Sequence, residues 1–587
     1  MKKAMFAMSG DPVHNGHVDI IERAASEYDE FYVGIGLNAS KEGKHLFTLE
    51  DRLGMTQNAL SHLDNVKVVP FKGLLVDYAW EHNIPTIVKS VRNEKDLEYE
   101  QILIKAGATQ HPDIKTRFLD SNDDFSHVSS SVVKALKSEQ GLVHELVPSY
   151  VNQRLDAKLL GQYVLGVTGE IGAGKSYISK KLEEIGKERG ILVYNIELDY
   201  LPHQIYSGEL KEPRYVSIRN EIVSIFGDAV GNTDGTINRH ELGDIVFNDS
   251  LKLDQLNEIM KKPMEVRLKR EMYGKKGLVL VNAALIAESN MSYLSNNNVM
   301  IVSIDKATQE ERLKGRGLDE DQIKRRLESQ YDFKGKFDNL DHAITSSGNG
   351  NIWTFDNPDG LDIDKLNHLF DKMIREVDIY GELRFSGLWE RLGADGIYDS
   401  EYKKLVCKYS KGHRHYHTLN HIVRGLDDFE DAQHLMENPD AVLFAWYYHD
   451  GVMKRKSKVD EVRSADLAYG VAKSVLLDDE FSDYVKNLVL ATRHKGAISS
   501  VDEKLISDID LAILGKSSEV FDKYDSAIKE EYSWLGNPVV YNNGRKEILE
   551  IFLDRAEKGE LYQTDFFRDK YQEQAKVNLR RAIDRLD

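Results

Sequence analysis

Three groups of residues in this 587-residue sequence have the types and spacing to do chemistry on phosphate groups. Near the start, Asp11-Pro12-Val13-His14-Asn15-Gly16-His17 sets two imidazoles close together, between an apolar run and a helical pattern. A histidine donor beside an α-phosphate stabilises the charge that builds in the transition state of a transfer, with no covalent intermediate. Further on, Tyr163 to Val167 breaks into Gly169-Glu-Ile-Gly172-Ala-Gly174-Lys175-Ser176, which fits G-x-x-x-x-G-K-[ST]. The glycines let backbone N–H groups crowd round phosphates at a helix N-terminus. Lys175 brings a positive charge to the β- and γ-phosphates, and the Ser176 hydroxyl suits Mg²⁺. In the last third, His413, His415, His417 and His421 are followed by His449-Asp450, by His494 and by Asp508-Ile-Asp510. Neutral imidazoles with carboxylates are ligands for a divalent transition metal such as Mn²⁺, Fe²⁺ or Co²⁺. The ordered set H…HD…D reads as one such constellation.

The elements that must position these groups follow from hydrophobic periodicity. Ala4 to Met8 and Phe31 to Leu37 read as strands around a helix over Val18 to Ser26. The phosphate loop has a strand before it and the helical pattern Ile178, Leu182, Ile185 behind it. Leu278 to Ala287 reads as a buried parallel strand, being far short of the ~20 residues a membrane span needs. Strand-like runs alternate with helical segments up to about Asp378, the pattern of doubly wound parallel sheets. From Glu382 onward the pattern is helical. These changes divide the chain into an α/β domain over 1–158, an α/β domain over 159–379 and an all-α domain over 380–587.

Composition narrows the function classes. With 41% hydrophobic and 30% charged residues, the expectation is a multidomain globular protein. One cysteine, Cys407, rules out an internal disulfide framework, and the first residues turn polar before a signal peptide is complete, so a cytoplasmic location is expected. A formal charge of −19 argues against non-specific binding to duplex nucleic acid. The expected partners are small anionic substrates, with no nucleic acid and no membrane. Homo-oligomerisation is left open.

Residues 4–152 resemble phosphopantetheine adenylyltransferases of the H-x-G-H superfamily. Besides the H-x-G-H loop, the matching pieces are Asn38 to Lys41, Phe47 to Arg52, Phe71 to Leu74, Val91-Arg92, Asp96 to Glu100 and Val128 to Lys134. The resemblance implies a Rossmann-like nucleotidyltransferase. It would join ATP to 4′-phosphopantetheine with Mg²⁺, giving dephospho-coenzyme A and pyrophosphate. Ser9 and Lys41 would then hold the acceptor phosphate and His17 the transferring phosphoryl group. The nucleotide would lie against His14, Arg92, Glu100 and Ser129, Ser130 and Ser131. Gly10 and Lys89 depart from the family pattern on the acceptor side, so another adenylyl acceptor, such as nicotinate or nicotinamide mononucleotide, stays open.

Residues 163–377 resemble dephospho-coenzyme A kinases, through the phosphate loop, Glu197 and Asp199, Ile237 to Arg239, Ala284 to Glu288 and Arg312 to Gln330. The resemblance implies a P-loop kinase in which Arg312 and Arg316, with Arg325 and Arg326, belong to a lid over ATP. Asp199 is the candidate base for the acceptor hydroxyl. Glu197, His203, Lys262 and Ala284 are departures on the acceptor side. Residues 383–587 resemble HD-type metal-dependent phosphohydrolases. That resemblance implies His421, His449, Asp450 and Asp510 as metal ligands, with Asp508 an alternative for the last, and His417 and His494 near the substrate. A chain with all three parts would join two steps of coenzyme A synthesis to a hydrolase. The alternatives are a nucleotide salvage or repair enzyme and a nucleotide-sensing regulatory protein.

Overall fold

The computed structural model describes residues 2–37, 44–92, 94–246, 249–315, 320–328, 330–358, 360–396, 398–455, 457, 459–494 and 498–586. Of residues 95, 96, 99, 103, 104, 106, 108, 250, 321, 322, 325 and 326 it describes the backbone. The chain forms two compact units, residues 1–185 with 192–373, and residues 186–191 with 374–587.

The first unit holds two five-stranded sheets. In one, β1 (Lys3–Met8), β2 (Glu30–Leu37), β3 (Val66–Lys72), β4 (Thr86–Val91) and β5 (Lys115–Asp120) lie in the order β3-β2-β1-β4-β5. Every pairing is parallel, with Ala4 between Phe31 and Thr86. The order reverses between β1 and β4, so the loops leaving these two strands diverge and open a crevice at their carboxyl ends. The H-x-G-H loop leaves β1 and Arg92 leaves β4, which brings them to one place.

In the other sheet, β6 (Gln162–Gly169), β7 (Val193–Glu197), β8 (Gly277–Asn282), β9 (Asn298–Ser303) and β10 (Asn351–Asp356) lie in the order β10-β9-β6-β8-β7, again all parallel. Every residue of β6, β8 and β9 is buried, as expected of strands covered on both faces. The phosphate loop leaves β6 at the reversal. The strand expected over Leu278 to Ala287 stops at Asn282, because the next residues turn aside: Ala283 N–H donates to the Val167 carbonyl and Ala284 N–H to the Asp199 carboxylate. The stretch Arg312 to Gln330 begins in the helix Lys306–Gly315 and continues in a second helix, Glu320–Glu328.

Between the two sheets run the helical segments Ser149–Leu155 and Asp156–Leu160, in which the polar residues Asn152 and Asp156 are buried. Asn152 donates to Asn296 at 2.6 Å, Asn296 donates to Asp156 at 2.9 Å, and Lys137 pairs with Asp156 while donating to Asn152 at 3.0 Å. Asn296 takes a left-handed backbone (φ 53°), which asparagine tolerates better than most residues.

In the second unit, Glu382–Arg391, Leu419–Ala432, Asp460–Ser474, Asp479–Ala491 and Val501–Leu511 pack against the helix Pro439–Tyr448, every residue of which from Ala441 on is buried. Trp446 of that helix packs on Gly425 of the helix Leu419–Ala432, where a Cβ would fall 2.0 Å from the indole. The indole N–H donates to the Ile422 carbonyl at 2.9 Å, completing the contact. No strand is present among the described residues of this unit, as the helical pattern predicts. No described helix in the protein is long and apolar enough to cross a membrane.

A buried ion pair stripped of one partner leaves an uncompensated charge. Lys137→Met is therefore expected to destabilise the first unit by about 3–5 kcal/mol. Lys137→Met/Asp156→Asn should recover part of that loss, with both variants followed by denaturant unfolding.

Candidate functional sites

The H-x-G-H loop is pinned on several sides. The buried Asp11 carboxylate accepts from the N–H groups of Leu46 (3.1 Å) and Phe47 (2.9 Å) and from Lys134 Nζ (2.7 Å). Ser130 Oγ donates to the Pro12 carbonyl at 2.8 Å, and Asn15 N–H to that of Leu146 at 2.9 Å. His14 is the N-cap of the helix Asn15–Ala25 and His17 its third residue; their rings stack with centroids 3.7 Å apart. The His14 N–H lies 3.4 Å from His17 Nδ1 and donates to it, so the neutral ring carries its proton on Nε2. Burial pushes His14 down to about 3, with the Arg92 charge adding to it, and lowers His17 well below the ordinary imidazole range, with His14 and Arg92 adding. Both rings are thus neutral donors at a helix N-terminus, a setting that favours a phosphate.

They line a cavity of about 240 Å³ together with Ser9, Arg92, Ser90 and Ser121. Ser90 and Ser121, whose hydroxyls are 3.0 Å apart, were not singled out in the sequence, where they sit in two unremarkable strand ends. Glu100 pairs with Lys89 at 3.0 Å. Ser129 caps the helix Ser130–Ser138 by accepting from Val132 N–H, Ser130 supports the loop through the Pro12 carbonyl, and Ser131 follows them in the first turn. Lys41 lies outside the described residues.

In the second sheet, the phosphate loop is held from below. Asn357, just past β10, donates to the Ala173 carbonyl at 2.7 Å; Gln309 donates to that of Ile171 at 2.9 Å; Arg312 donates to the Asn357 carbonyl at 3.2 Å. Gly169, Gly172 and Gly174 all have positive φ. At Gly174 (φ 86°) a Cβ would also meet Asn357 Nδ2 at 2.5 Å. Lys175 and Ser176 open the helix Lys175–Glu188, Ser176 exposed at the mouth. Asp199 follows β7 and its tip reaches solvent. The cleft walls thin its hydration and push its carboxyl up, against the Ala284 N–H (2.9 Å) and the charge of Lys175. Arg316 lies outside the described residues, as do the side chains of Arg325 and Arg326.

In the helical unit, the contact between Trp446 and Gly425 decides how two imidazoles meet. His421 lies on the helix bearing Gly425, and His449 closes the helix bearing Trp446. His449 Nδ1 donates to the Trp446 carbonyl at 2.8 Å, leaving Nε2 to face inward, 3.1 Å from His421 Nε2. Two such nitrogens at that separation need a proton or a cation between them. Asp450 Oδ2 is 3.2 Å from His449 Nε2 and 3.7 Å from His421 Nε2, and Asp510 Oδ1 is 3.7 Å and 3.5 Å from the same atoms. Burial pushes both carboxyls up, but the imidazoles beside them outweigh it and hold both ionised.

Nitrogens of His421 and His449 and an oxygen of Asp510 lie within 4.8 Å of one another, which fits a divalent cation. Asp510, not Asp508, faces this centre. Asp508 is two residues away on the same helix, hence on the other face, where it accepts from the N–H groups of Gln563 (2.7 Å) and Thr564 (2.8 Å). His494 Nε2 is 2.9 Å from Asp510, and His417 Nε2 is 3.8 Å from Asp450.

Sequence reasoning missed Glu531. It accepts from His417 Nδ1 at 2.7 Å and from the N–H groups of His415, Tyr416 and His417, and no local pattern links it to them.

The phosphate-loop geometry carries a test. Because Gly174→Ala places a Cβ against Asn357 at a strained φ, worth about 1–3 kcal/mol, ATP affinity measured by calorimetry is expected to fall by about tenfold or more.

Comparison with known proteins matches each α/β part to a family. Residues 9–136 match the cytidylyltransferase-like family and residues 163–351 the dephospho-CoA kinase family. Over 158 residues, 27% of this chain, the sequence is 43% identical to phosphopantetheine adenylyltransferase of Dictyoglomus thermophilum, covering 95% of it. It is 42% identical to that of Thermobifida fusca, covering 94% of it. Among solved structures, TT1252 from Thermus thermophilus aligns over 97% of its length and 37% of this chain, at 19% identity and a TM-score of 0.28.

Proposed function

The chain belongs to the phosphopantetheine adenylyltransferase family through its first α/β part, and from that premise we propose that it catalyses two successive ATP-dependent steps of coenzyme A synthesis and hydrolyses a phosphate ester at a third site. The domains that carry these activities are residues 1–158, 159–379 and 380–587. The observation that carries the reading is the H-x-G-H cavity, with two neutral stacked histidines, in a segment 43% identical to an adenylyltransferase.

In the first step, a phosphate oxygen of 4′-phosphopantetheine attacks the α-phosphorus of ATP and pyrophosphate leaves. Hydrogen-bond donation from His17 Nε2 and the charge of Arg92 stabilise the transition state, while His14 and the helix N-terminus hold the polyphosphate. Ser9 and Lys41 serve the acceptor phosphate, and Glu100 with Ser129, Ser130 and Ser131 the nucleotide side.

In the second, Lys175 and the backbone of Gly169, Gly172 and Gly174 hold the ATP phosphates, and Arg312 and Arg316 belong to the lid. Asp199 orients and deprotonates the acceptor hydroxyl of dephospho-coenzyme A. Mg²⁺, which Ser176 would ligate, neutralises charge on the phosphates when bound.

In the helical domain, His421, His449, Asp450 and Asp510 would hold Mn²⁺, Fe²⁺ or Co²⁺. Such an ion supplies an activated water and neutralises charge on the ester. His417, fixed by Glu531, and His494 face the substrate.

Incubating the protein with ATP, Mg²⁺ and 4′-phosphopantetheine and following products by mass spectrometry tests the reading; dephospho-coenzyme A and then coenzyme A are expected. His17→Ala should slow pyrophosphate release about 100-fold or more, and retention of a tenth of the rate would remove His17 from the transition state. Lys175→Ala should abolish phosphorylation of dephospho-coenzyme A and spare adenylyl transfer. For the helical domain, elemental analysis should find metal lost in Asp510→Asn and kept in Asp508→Asn. Absence of metal from the reconstituted wild type would overturn the hydrolase.

A further inference from the structure

Lys336 is an ammonium with no exposed surface, inside the domain that carries the phosphate loop. A fully buried lysine is rare unless paired, so its partners are informative. It sits on the helix Phe333–Ser347 and donates to the Ala284 carbonyl at 2.7 Å and to the Glu288 carboxylate. The Ala284 carbonyl also accepts from Thr168 Oγ1 at 3.0 Å, one residue before the phosphate loop. The N–H of the same residue donates to Asp199 at 2.9 Å. Glu288 also accepts from Tyr331 N–H at 3.0 Å, just beyond the helix Glu320–Glu328. A cation fixed on Ala284 therefore anchors the residue that holds Asp199, and its counter-ion holds the chain leaving the lid.

We infer that Lys336 is a positioning residue for phosphoryl transfer: it clamps Ala284 so that the Ala284 N–H fixes the Asp199 carboxylate toward the acceptor hydroxyl, and Glu288 ties that clamp to the segment after the lid. The inference rests on Asp199 being the base. It is distinct from a plain structural ion pair, because a structural pair would act on stability and ATP binding, whereas a clamp on the base acts on the chemical step.

The test uses the full chain, ATP, Mg²⁺ and dephospho-coenzyme A, with adenylyl transfer as an internal control for folding. Lys336→Met/Glu288→Gln removes both charges together, so no buried charge is stranded. Its kcat for phosphorylation is expected to fall about tenfold or more, with KM for ATP within about threefold of wild type and adenylyl transfer unchanged. Lys336→Arg, which keeps the cation, should stay within about threefold of the wild-type kcat. In an Asp199→Asn background the same double change should cost nothing further, since the two act through one group.

Should the double variant fail to fold, Thr168→Val removes the other donor to the Ala284 carbonyl without touching a charge. It should lower kcat by about threefold or more at constant KM. An unchanged kcat in the double variant, a loss confined to KM, or full additivity with Asp199→Asn would overturn the clamp. A wild-type rate in Asp199→Asn would instead overturn the assignment of the base, and the clamp with it.

Discussion

Both sheets are built only of parallel strands, and that single constraint places the α/β sites. A parallel strand buried between helices has its backbone groups paired along its length, but at its carboxyl end the ladder stops. The groups beyond it must find partners in loops, at helix N-termini or on a ligand. In both sheets the residues of the proposed sites lie at such ends: His14 and His17 after β1, Arg92 after β4, the phosphate loop after β6, and Asp199 after β7, with Ala284, which holds Asp199, after β8. Where the strand order reverses, neighbouring loops part and leave room for substrate.

Holding those loops still requires groups that are themselves buried. Asp11 ties the H-x-G-H loop to Leu46, Phe47 and Lys134, and Asn357 braces the phosphate loop through the Ala173 carbonyl. A charged or amide side chain is well suited to this task because its unpaired form is costly, about 1–3 kcal/mol for a lost partner of a neutral group and more for a charge. The same logic joins the two sheets, where Lys137, Asp156, Asn152 and Asn296 form one connected polar network. The loops are therefore set before substrate arrives, and binding energy is available for the transition state.

The helical unit solves the positioning problem by close packing. Glycine at 425 admits the Trp446 ring, the indole fixes the distance between two helices, and the Trp446 carbonyl orients His449. The approach of His421 and His449 thus follows from one aromatic contact, with Glu531 holding His417 from a distant helix. The segments that bring Asp510 and Glu531 are far in sequence from the two helices that meet here.

What the sequence alone determined is what is local. The H-x-G-H and phosphate-loop motifs are short because a helix N-terminus and the turn before it are made by neighbouring residues, so their chemistry was legible without a fold. The alternation of strands and helices, and the switch to helices near Glu382, were legible for the same reason. The early end of β8 was not, since Ala283 and Ala284 leave the ladder only because Val167 and Asp199 accept their N–H groups. Nor was the choice between Asp508 and Asp510, which have the same composition and differ only in helix face. Rotation of a helix is set by what packs on it, and here that turns Asp510 to the histidines and Asp508 to the backbone of Gln563 and Thr564. Lys336, Glu531 and Asn296 found their roles in the same way, because burial, which turns an ordinary polar residue into a determinant of geometry, is decided by contacts between distant segments and has no signature in the residues alongside.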